Sequence, residues 1–364
     1  MKVATVFSGI GAPEYAIRRI PGVQLDIVFA CDCGETKPLS EEVSAKLHEI
    51  RDPKERQHAV KTEYAKIRKK HWVKDVYFAN YEENGITEDK WHDDIRFIDG
   101  NQYRGEVDLF IGGSPCQSFS NMGKRGGLED ARGTLFYDYA RLISEMQPKA
   151  FIYENVPGML AHDKGETWKT IESIFASLGY QIVMKEILNS ADYGIPQNRK
   201  RLFVVGIKDI NSANLFQKPI QIPLNSASTD YLETWIPAKY YMKKLGFRFT
   251  TTNTARAKIN EPIIRTEKRN QQFNWNGDFR FETVDSLAAS GRHDVMGMAY
   301  IGTYQGQRGV VRKLTPRECH NLMGFGKDFS ICSNDTQAYK QSGNSIVVEV
   351  VQAVVEAILR TGAI

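Results

Sequence analysis

The sequence predicts an α/β chain built on a mixed, mostly parallel sheet, joined to a smaller, irregular, β-rich region. Three observations carry this reading. Short apolar runs (2–7, 25–30, 107–111, 150–153, 202–206) alternate with helical patterns along 1–207. Several runs stop at turns of glycine or acidic residues, as strands do at the functional edge of an open sheet. From 208 to 308 the alternation is lost, and over 309–364 helical patterning returns, so the expected division is 1–207, 208–308 and 309–364.

Each element has a local cause. Residues 2–7 (KVATVF) form a first strand, and Ser8 to Ala12 a glycine turn, with Pro13 near the first helical position. Such a turn brings backbone N–H groups to a ligand at a helix N-terminus. The second strand ends on Asp32, about 20 positions on, where a nucleoside-binding Rossmann half places its ribose-hydroxyl acceptor. A solvated loop aspartate is the plain alternative. Residues 38–92 are an insertion of different character. Ser40 before Glu41-Glu42 starts one helix with Val43, Leu47 and Ile50 on a face, and Asp52-Pro53 starts another with Val60, Tyr64 and Ile67. Residues 46–74 hold 10 basic and 4 acidic side chains. This excess suits phosphate contact or a solvated face.

Residues 107–114 (VDLFIGGS) form a buried strand and a turn that sets Cys116 on a loop, either as a reactive thiol or as a small buried filler. The run 121–133 (NMGKRGGLEDARG) reads as a lid or a plain surface loop, and a helix follows from Thr134. The strand at 150–153 ends in Glu154-Asn155, facing the same crevice as the cysteine loop. Helix 167–178 and strand 180–188 follow. Arg199 and Arg201, two apart at a strand start, present two guanidiniums suited to phosphate or a base carbonyl. The 208–308 region carries Trp235, Tyr240, Tyr241, Phe247, Phe249, Phe273, Trp275, Phe279 and Phe281, read as a small β core or as stacking platforms. Thr315-Pro316-Arg317-Glu318 is a capping box. A final apolar helix runs from Ile346 to Leu359, capped by Asn344 or Ser345, and packs on the first sheet.

Composition narrows the function. Five scattered cysteines argue for a reducing, cytoplasmic setting and against a disulfide framework, and no Cys/His spacing supports a metal site. No signal peptide or membrane-length apolar run is expected. A net charge of +4 permits a nucleic-acid partner without requiring one.

Assembled in order, these segments resemble the cytosine-5 DNA methyltransferase family of bacterial and phage type. FSGIGA (7–12) resembles its S-adenosylmethionine loop, GGSPCQSFS (112–120) its Pro-Cys-Gln motif, and RGTLFYDYARLI (132–143) the segment after the catalytic loop. ENVPGML (154–160), PQNRKRLFVVGI (196–207), RKLTPRECHNLMGF (312–325) and SGNSIVVEVVQAV (342–354) resemble the remaining blocks. There are departures. Cys33 stands where many relatives carry an aromatic residue, the 38–92 insertion is long, and the recognition region offers Ser286-Leu287 for the usual Thr-Leu pair.

The resemblance implies a Rossmann-like catalytic domain, a target-recognition domain over 208–308, and an enzyme that methylates carbon 5 of cytosine in duplex DNA, commonly as a monomer. S-adenosyl-L-methionine would be the donor, S-adenosyl-L-homocysteine the product, with no metal, and a cognate restriction endonuclease is an implied partner. Cys116 would add to ring carbon 6, because cysteine is the most nucleophilic side chain near neutral pH. Glu154 would carry the proton for ring nitrogen 3, and Arg201 with Arg199 would hold the base carbonyl. Phe7, Gly9, Ile10, Gly11, Asp32, Asp94, Ile95, Gly113, Pro115, Leu135, Asn344 and Ser345 would line the cofactor pocket. Rival expectations are a transfer-RNA cytosine methyltransferase, a non-catalytic DNA-binding member, and a nicotinamide-dependent oxidoreductase resting on the glycine turn and Asp32 alone.

Overall fold

The computed structural model describes residues 1–114, 135–243, 258–269 and 277–364. These form two compact units. Met1–Asn189, Lys200–Gln221 and Val348–Ile364 make the first, and Ser190–Arg199 with Ile222–Val347 the second. The limits differ from the sequence boundaries at 207/208 and 308/309. The strand ending at Ile207 is followed by a short helix, Ile210–Asn214, that stays on the first unit, while the chain beyond 308 pairs inside the second.

In the first unit, β1 (Lys2–Val6), β2 (Asp26–Cys31), β3 (Trp91–His92), β4 (Leu109–Gly112), β5 (Ala150–Asn155), β6 (Gln181–Asn189) and, after β7 (Gln197–Asn198) of the second unit, β8 (Lys200–Ile207) supply one sheet. Among the described residues it has seven strands in the order β3-β2-β1-β4-β5-β8-β6. Only β8 runs against its neighbours; β1 to β5 are parallel throughout. Strands buried on both faces require near-continuous apolar runs, which 2–6, 109–112 and 150–153 supply.

The helices of this unit are α1 (Ala12–Arg18), α2 (Glu41–His48), α3 (Pro53–Ile67), α4 (Trp72–Tyr81), α5 (Leu135–Met146), α6 (Glu166–Ser177), α7 (Ile210–Asn214) and the C-terminal Val348–Leu359. On one face of the sheet, Val6, Phe110, Phe151, Tyr153 and Val204 form a core with Phe136, Tyr139, Leu142 and Ile143 of α5 and Ile171 and Phe175 of α6. On the other, Thr5 donates to Glu14 of α1 (2.6 Å). The C-terminal helix packs on α1, with Arg19 paired to Glu349 at 2.9 Å. Caps start the inserted helices as expected: Ser40 accepts from the Val43 N–H (3.3 Å), and Asp52 from those of Lys54 and Glu55 (both 2.9 Å). Val60 and Tyr64 of α3 are buried, but Ile67, at its last turn, is exposed.

The second unit holds β7, β9 (Lys258–Ile259), β10 (Ile264–Arg265), β11 (Asp278–Thr283), β12 (Ile301–Tyr304) and β13 (Gln307–Lys313). Among the described residues they form a β12-β13-β11-β9 sheet and a β10-β7 ladder. Its helices are α8 (Val284–Ala289), α9 (His293–Met298), α10 (Pro316–Asn321) and α11 (Asp335–Asn344), which makes the C-terminal Val348–Leu359 helix α12. Ser286-Leu287 lies within α8, and the Thr315–Glu318 capping box starts α10. Asn344 and Ser345 do not begin the final helix. They end α11, and α12 starts anew at Val348, so the Asp335–Leu359 stretch, long enough and over one 18-residue window apolar enough to cross a membrane, is broken at 345–347, with 67% of that window buried. Tyr240, Tyr241, Phe279 and Phe281 are core, whereas Trp235 is exposed. Phe247, Phe249, Phe273 and Trp275 lie outside the described residues.

Charge stabilises this unit internally. Glu318 is fully buried and receives both Arg312 Nη1 (2.8 Å) and Nη2 (3.0 Å), while Arg312 Nε reaches Glu282 (2.6 Å). Removing one partner strands the other without water. Arg312→Met is expected to lower stability by about 3–5 kcal/mol. The double variant Arg312→Met/Glu318→Leu should recover only part of that loss, as read from urea denaturation midpoints, because Glu318 also accepts from the backbone N–H groups of Thr315 and Glu233.

Candidate functional site

At the end of β1 the chain must reverse within five residues to start α1. Phe7 (φ 55), Gly9 (φ 54) and Gly11 (φ 84) take left-handed backbone conformations to do so, and for Phe7 this costs on the order of 1–2 kcal/mol. A Cβ on Gly9 would meet nothing, so open space lies beside the turn. On Gly11 it would overlap the Tyr81 ring of α4, so packing requires that glycine. Ile10 is buried. Asp32 fastens the turn to the end of β2: its Oδ2 accepts from the Gly9 N–H (2.8 Å) and its Oδ1 from that of Gly34 (2.6 Å).

A cavity opens here, walled by Phe7, Cys31, Asp32, Cys33, Pro38, Tyr64, Asp93, Asp94, Ile95, Arg96 and Leu135. Apolar walls with a carboxylate at the end of the second parallel strand suit a nucleoside, whose ring needs burial and whose hydroxyls need an acceptor. Of the residues the sequence nominated for a cofactor, Phe7, Asp32, Asp94, Ile95 and Leu135 meet in this wall. The Asp94 carboxylate is engaged by Arg96 (Nη2 2.6 Å, Nε 3.0 Å) and the Tyr64 hydroxyl (2.7 Å). Burial alone would raise the Asp93 carboxyl, but the His71 hydrogen bond and the Arg68 guanidinium (2.5 Å) outweigh it and hold it at about 2.

The other group of nominated residues sits at the ends of β4, β5 and β8. An added Cβ on Gly112 would lie 2.6 Å from Val6, and on Gly113 it would overlap the Glu154 carbonyl and come within 2.9 Å of Glu154 Oε2. Glycine here lets the end of β4 lie directly on Glu154. Asn155 Nδ2 donates to the Ser114 carbonyl (2.9 Å), and the hydroxyls of Ser114 and Tyr153 are hydrogen-bonded (2.8 Å). Arg201 on β8 sets its Nε 3.1 Å from Glu154 Oε1. The backbone leading to Cys116 is thus held against the Glu154–Arg201 pair. Pro115, Cys116 and the 121–133 run lie outside the described residues. Three other cysteines are poor nucleophiles: burial, then Asp94 and Asp32, push the Cys31 thiol far up; burial, then Asp32 and Asp94, bring Cys33 to about 12; and burial, then Glu267, raises Cys319 far above its usual range.

Arg199 does not share Arg201's partners. It is buried in the second unit, where Nη1 donates to the Glu267 carbonyl (2.7 Å) and Nη2 to those of Gly343 (3.1 Å) and Ser345 (2.6 Å). Gln197 does similar work, donating to the Leu322 carbonyl (2.9 Å) and accepting from the Glu267 N–H (3.0 Å). The expectation of two matched guanidiniums is therefore corrected. Arg199 and Gln197 tie the second unit together, Ser345 is one of the anchored carbonyls, Asn344 closes α11, and Arg201 alone meets Glu154.

The architecture is an α/β fold with a small cavity at the ends of its parallel strands and an acid–guanidinium pair at neighbouring strand ends. Residues 56–360 match the C-5 cytosine-specific DNA methylase family. Among curated relatives, Type II methyltransferase M.HpaII of Haemophilus parainfluenzae is 36% identical over 273 residues, covering 70% of this chain and 72% of the relative. Type II methyltransferase M.HhaI of Haemophilus parahaemolyticus is 34% identical over 254 residues, 67% and 73% of the two chains. Among solved structures, the Dnmt2 methyltransferase of S. pombe superposes with a TM-score of 0.64 at 17% identity, covering 99% of this chain and 98% of that one. The chain belongs to the C-5 cytosine-specific DNA methylase family.

Sequence reasoning missed what the insertion does here. Tyr64, Arg68, His71, Tyr77 and Tyr81 reach the glycine turn, the start of α1 and the ends of β2 and β3, and Tyr77 donates to the buried Glu14 (2.7 Å). The available signal was Tyr77 and Tyr81 at i, i+4 on α4, a pair that shares one helix face. It also missed Glu267, fully buried beneath Arg199. Burial pushes its carboxyl up to about 7 against the opposing Cys319, Arg199 and Ser342. A carboxyl raised in the folded state holds its proton more tightly there, so stability declines as pH rises from about 4.5 to about 7. Glu267→Gln is expected to flatten that decline and to raise the urea midpoint at pH 8 relative to the parent chain.

Proposed function

We propose that the chain transfers a methyl group from S-adenosyl-L-methionine to carbon 5 of a flipped-out cytosine in a specific duplex DNA sequence, through a covalent Cys116 adduct. The observation that carries this is the Glu154–Arg201 pair, 3.1 Å apart, against which Gly113 lies three residues before Cys116. Asp32, Phe7, Ile95 and Leu135, which wall the cavity, would hold the cofactor, which would supply an electrophilic methyl group when bound.

Carbon 5 of cytosine does not attack an electrophile until the ring is activated. The Cys116 thiolate adds to carbon 6, which drives electron density to carbon 5 and negative charge towards nitrogen 3 and the carbonyl at position 2. Glu154 supplies the nitrogen-3 proton, and Arg201, beside it, binds the carbonyl and fixes the carboxyl's orientation. Carbon 5 would then take the methyl group as the methyl–sulfonium bond of the donor breaks, leaving S-adenosyl-L-homocysteine. Loss of the carbon 5 proton to a water-derived base breaks the carbon 6–sulfur bond and restores the Cys116 thiolate, and the nitrogen-3 proton returns to Glu154. A stacked base is out of reach of these groups, so the cytosine must leave the helix at a cost of a few kcal/mol. Arg199, spent on three carbonyls, serves as a positioning residue. The second unit is the proposed reader of the DNA sequence, and the Type II names of the relatives support a cognate restriction endonuclease as partner.

Bisulfite sequencing of plasmid DNA from cells expressing the chain is expected to show methylcytosine at one recurring sequence, and Cys116→Ala to abolish it. Glu154→Gln should cut the turnover of purified protein by roughly 100- to 10,000-fold. Methylation of transfer RNA in place of duplex DNA would overturn the substrate, and full activity in Cys116→Ala the mechanism.

A further inference from the structure

Residues 41–81 place three helices between β2 and β3, and their basic composition fits DNA contact as readily as a solvated face. We propose instead that this insertion is a brace for the cofactor pocket, with Tyr64, Arg68 and His71 as positioning residues for the methyl donor. The proposal rests on the S-adenosyl-L-methionine reading above.

The insertion holds three loops that edge the cavity. At the glycine turn, the Tyr81 hydroxyl donates to the Gly11 carbonyl, and Tyr77 to Glu14 at the start of α1. At the end of β2, Arg68 Nη1 donates to the Cys33 carbonyl (3.3 Å) and His71 Nε2 to that of Asp32 (3.0 Å). The histidine tautomer is set locally, because its Nδ1 accepts from the Lys74 N–H (3.3 Å) at the head of α4. At the end of β3, Arg68 Nη2 meets Asp93 (2.5 Å) and the Tyr64 hydroxyl meets Asp94 (2.7 Å). Five side chains, three from α3 and α4 and two from the cap residues Arg68 and His71 between them, therefore fix the backbone and carboxylates of one small site.

Tyr64 is also part of the wall, where it and Phe7 are the aromatic residues. It is 1% exposed, so its hydroxyl has no access to bulk water and its bond to Asp94 is not readily replaced. The cations tell the same story. Arg56 turns to the carbonyls of Phe97 and Ile50, and Arg68 to those of the pocket loop, while Lys46, Lys66 and Lys70 pair with acids of the insertion itself. Of the insertion's three arginines, Arg56 and Arg68 turn toward the protein and Arg51 is exposed.

The test is calorimetric titration of the full chain with S-adenosyl-L-homocysteine, alongside duplex-DNA affinity and hydrogen exchange. Tyr64→Phe is expected to weaken S-adenosyl-L-homocysteine binding roughly tenfold, the worth of one hydrogen bond to a charged acceptor. Arg68→Met should weaken it at least as much, and both should leave affinity for duplex DNA unchanged. In the parent chain, S-adenosyl-L-homocysteine should slow amide exchange across 60–81. Unchanged S-adenosyl-L-homocysteine affinity in both variants, or no slowing of exchange, overturns the brace. So does lost DNA affinity with S-adenosyl-L-homocysteine affinity intact, which assigns the insertion to DNA. A parent chain that binds no S-adenosyl-L-homocysteine overturns the cofactor reading itself, a result separable from a binding parent with unaffected variants.

Discussion

Two adjacent parallel strands, β2 and β3, end in acidic residues: Asp32 on one, Asp93 and Asp94 on the other. Carboxylates brought together out of water repel one another and lose hydration, so such a site needs donors and positive charge supplied from elsewhere in the fold. Asp32 is met by two backbone N–H groups, Asp94 by Arg96 and Tyr64, and Asp93 by Arg68 and His71. Half of those donors belong to the inserted helices. The insertion is therefore coupled to the site by charge, and the site's shape depends on helices that carry no recognisable motif.

The second unit solves a similar problem by a different route. Its sheet is small and its strands short, and buried ion pairs and buried guanidiniums take up much of the space that aliphatic side chains fill in the first unit. Arg312 between Glu318 and Glu282, and Arg199 beneath three carbonyls, are specific in direction as well as in charge. Exchanging such groups for apolar ones of similar size often leaves stability intact. Their contribution here is to orientation. They fix where strands β7 and β10 and the end of α11 come together, an arrangement that interchangeable aliphatic residues would define less sharply.

The difference between the units explains what could be read in the amino-acid sequence. In the first, apolar strand runs, caps at Ser40 and Asp52, and turns at 8–12 and 112–114 are local signals with local causes, and most elements lie within a residue or two of expectation. Of the cavity residues, Asp32 was legible from its spacing after the glycine turn, whereas Phe7, Asp94, Ile95 and Leu135 were nominated only by the family resemblance. The packing of α3 and α4 was not legible, because a lysine- and arginine-rich helix looks alike whether its cations face water or carboxylates. The second unit was mostly illegible, since Arg199, Arg312, Glu267 and Glu318 have the composition of a surface and the burial of a core. Arg199 shows the limit well: two residues from Arg201, it was given the same task, and only its three carbonyl partners separate them. Ser342 to Ser345 misled in another way. A serine and an asparagine before an apolar run read as a helix start, yet here they close one helix before the next begins.

The contact between Gly11 and the Tyr81 ring bears on how this chain can change over time. Any residue with a Cβ at position 11 collides with that ring, so the larger residue becomes tolerable only after Tyr81 has been replaced. The reverse order is open, since a smaller residue at 81 leaves Gly11 unharmed. Substitutions at these two positions, 70 residues apart in sequence, are therefore ordered. A lineage that acquires the tyrosine adds a steric lock to a turn that the left-handed φ of 84 at Gly11 already reserves for glycine. History, in this fold, runs more easily in one direction than the other.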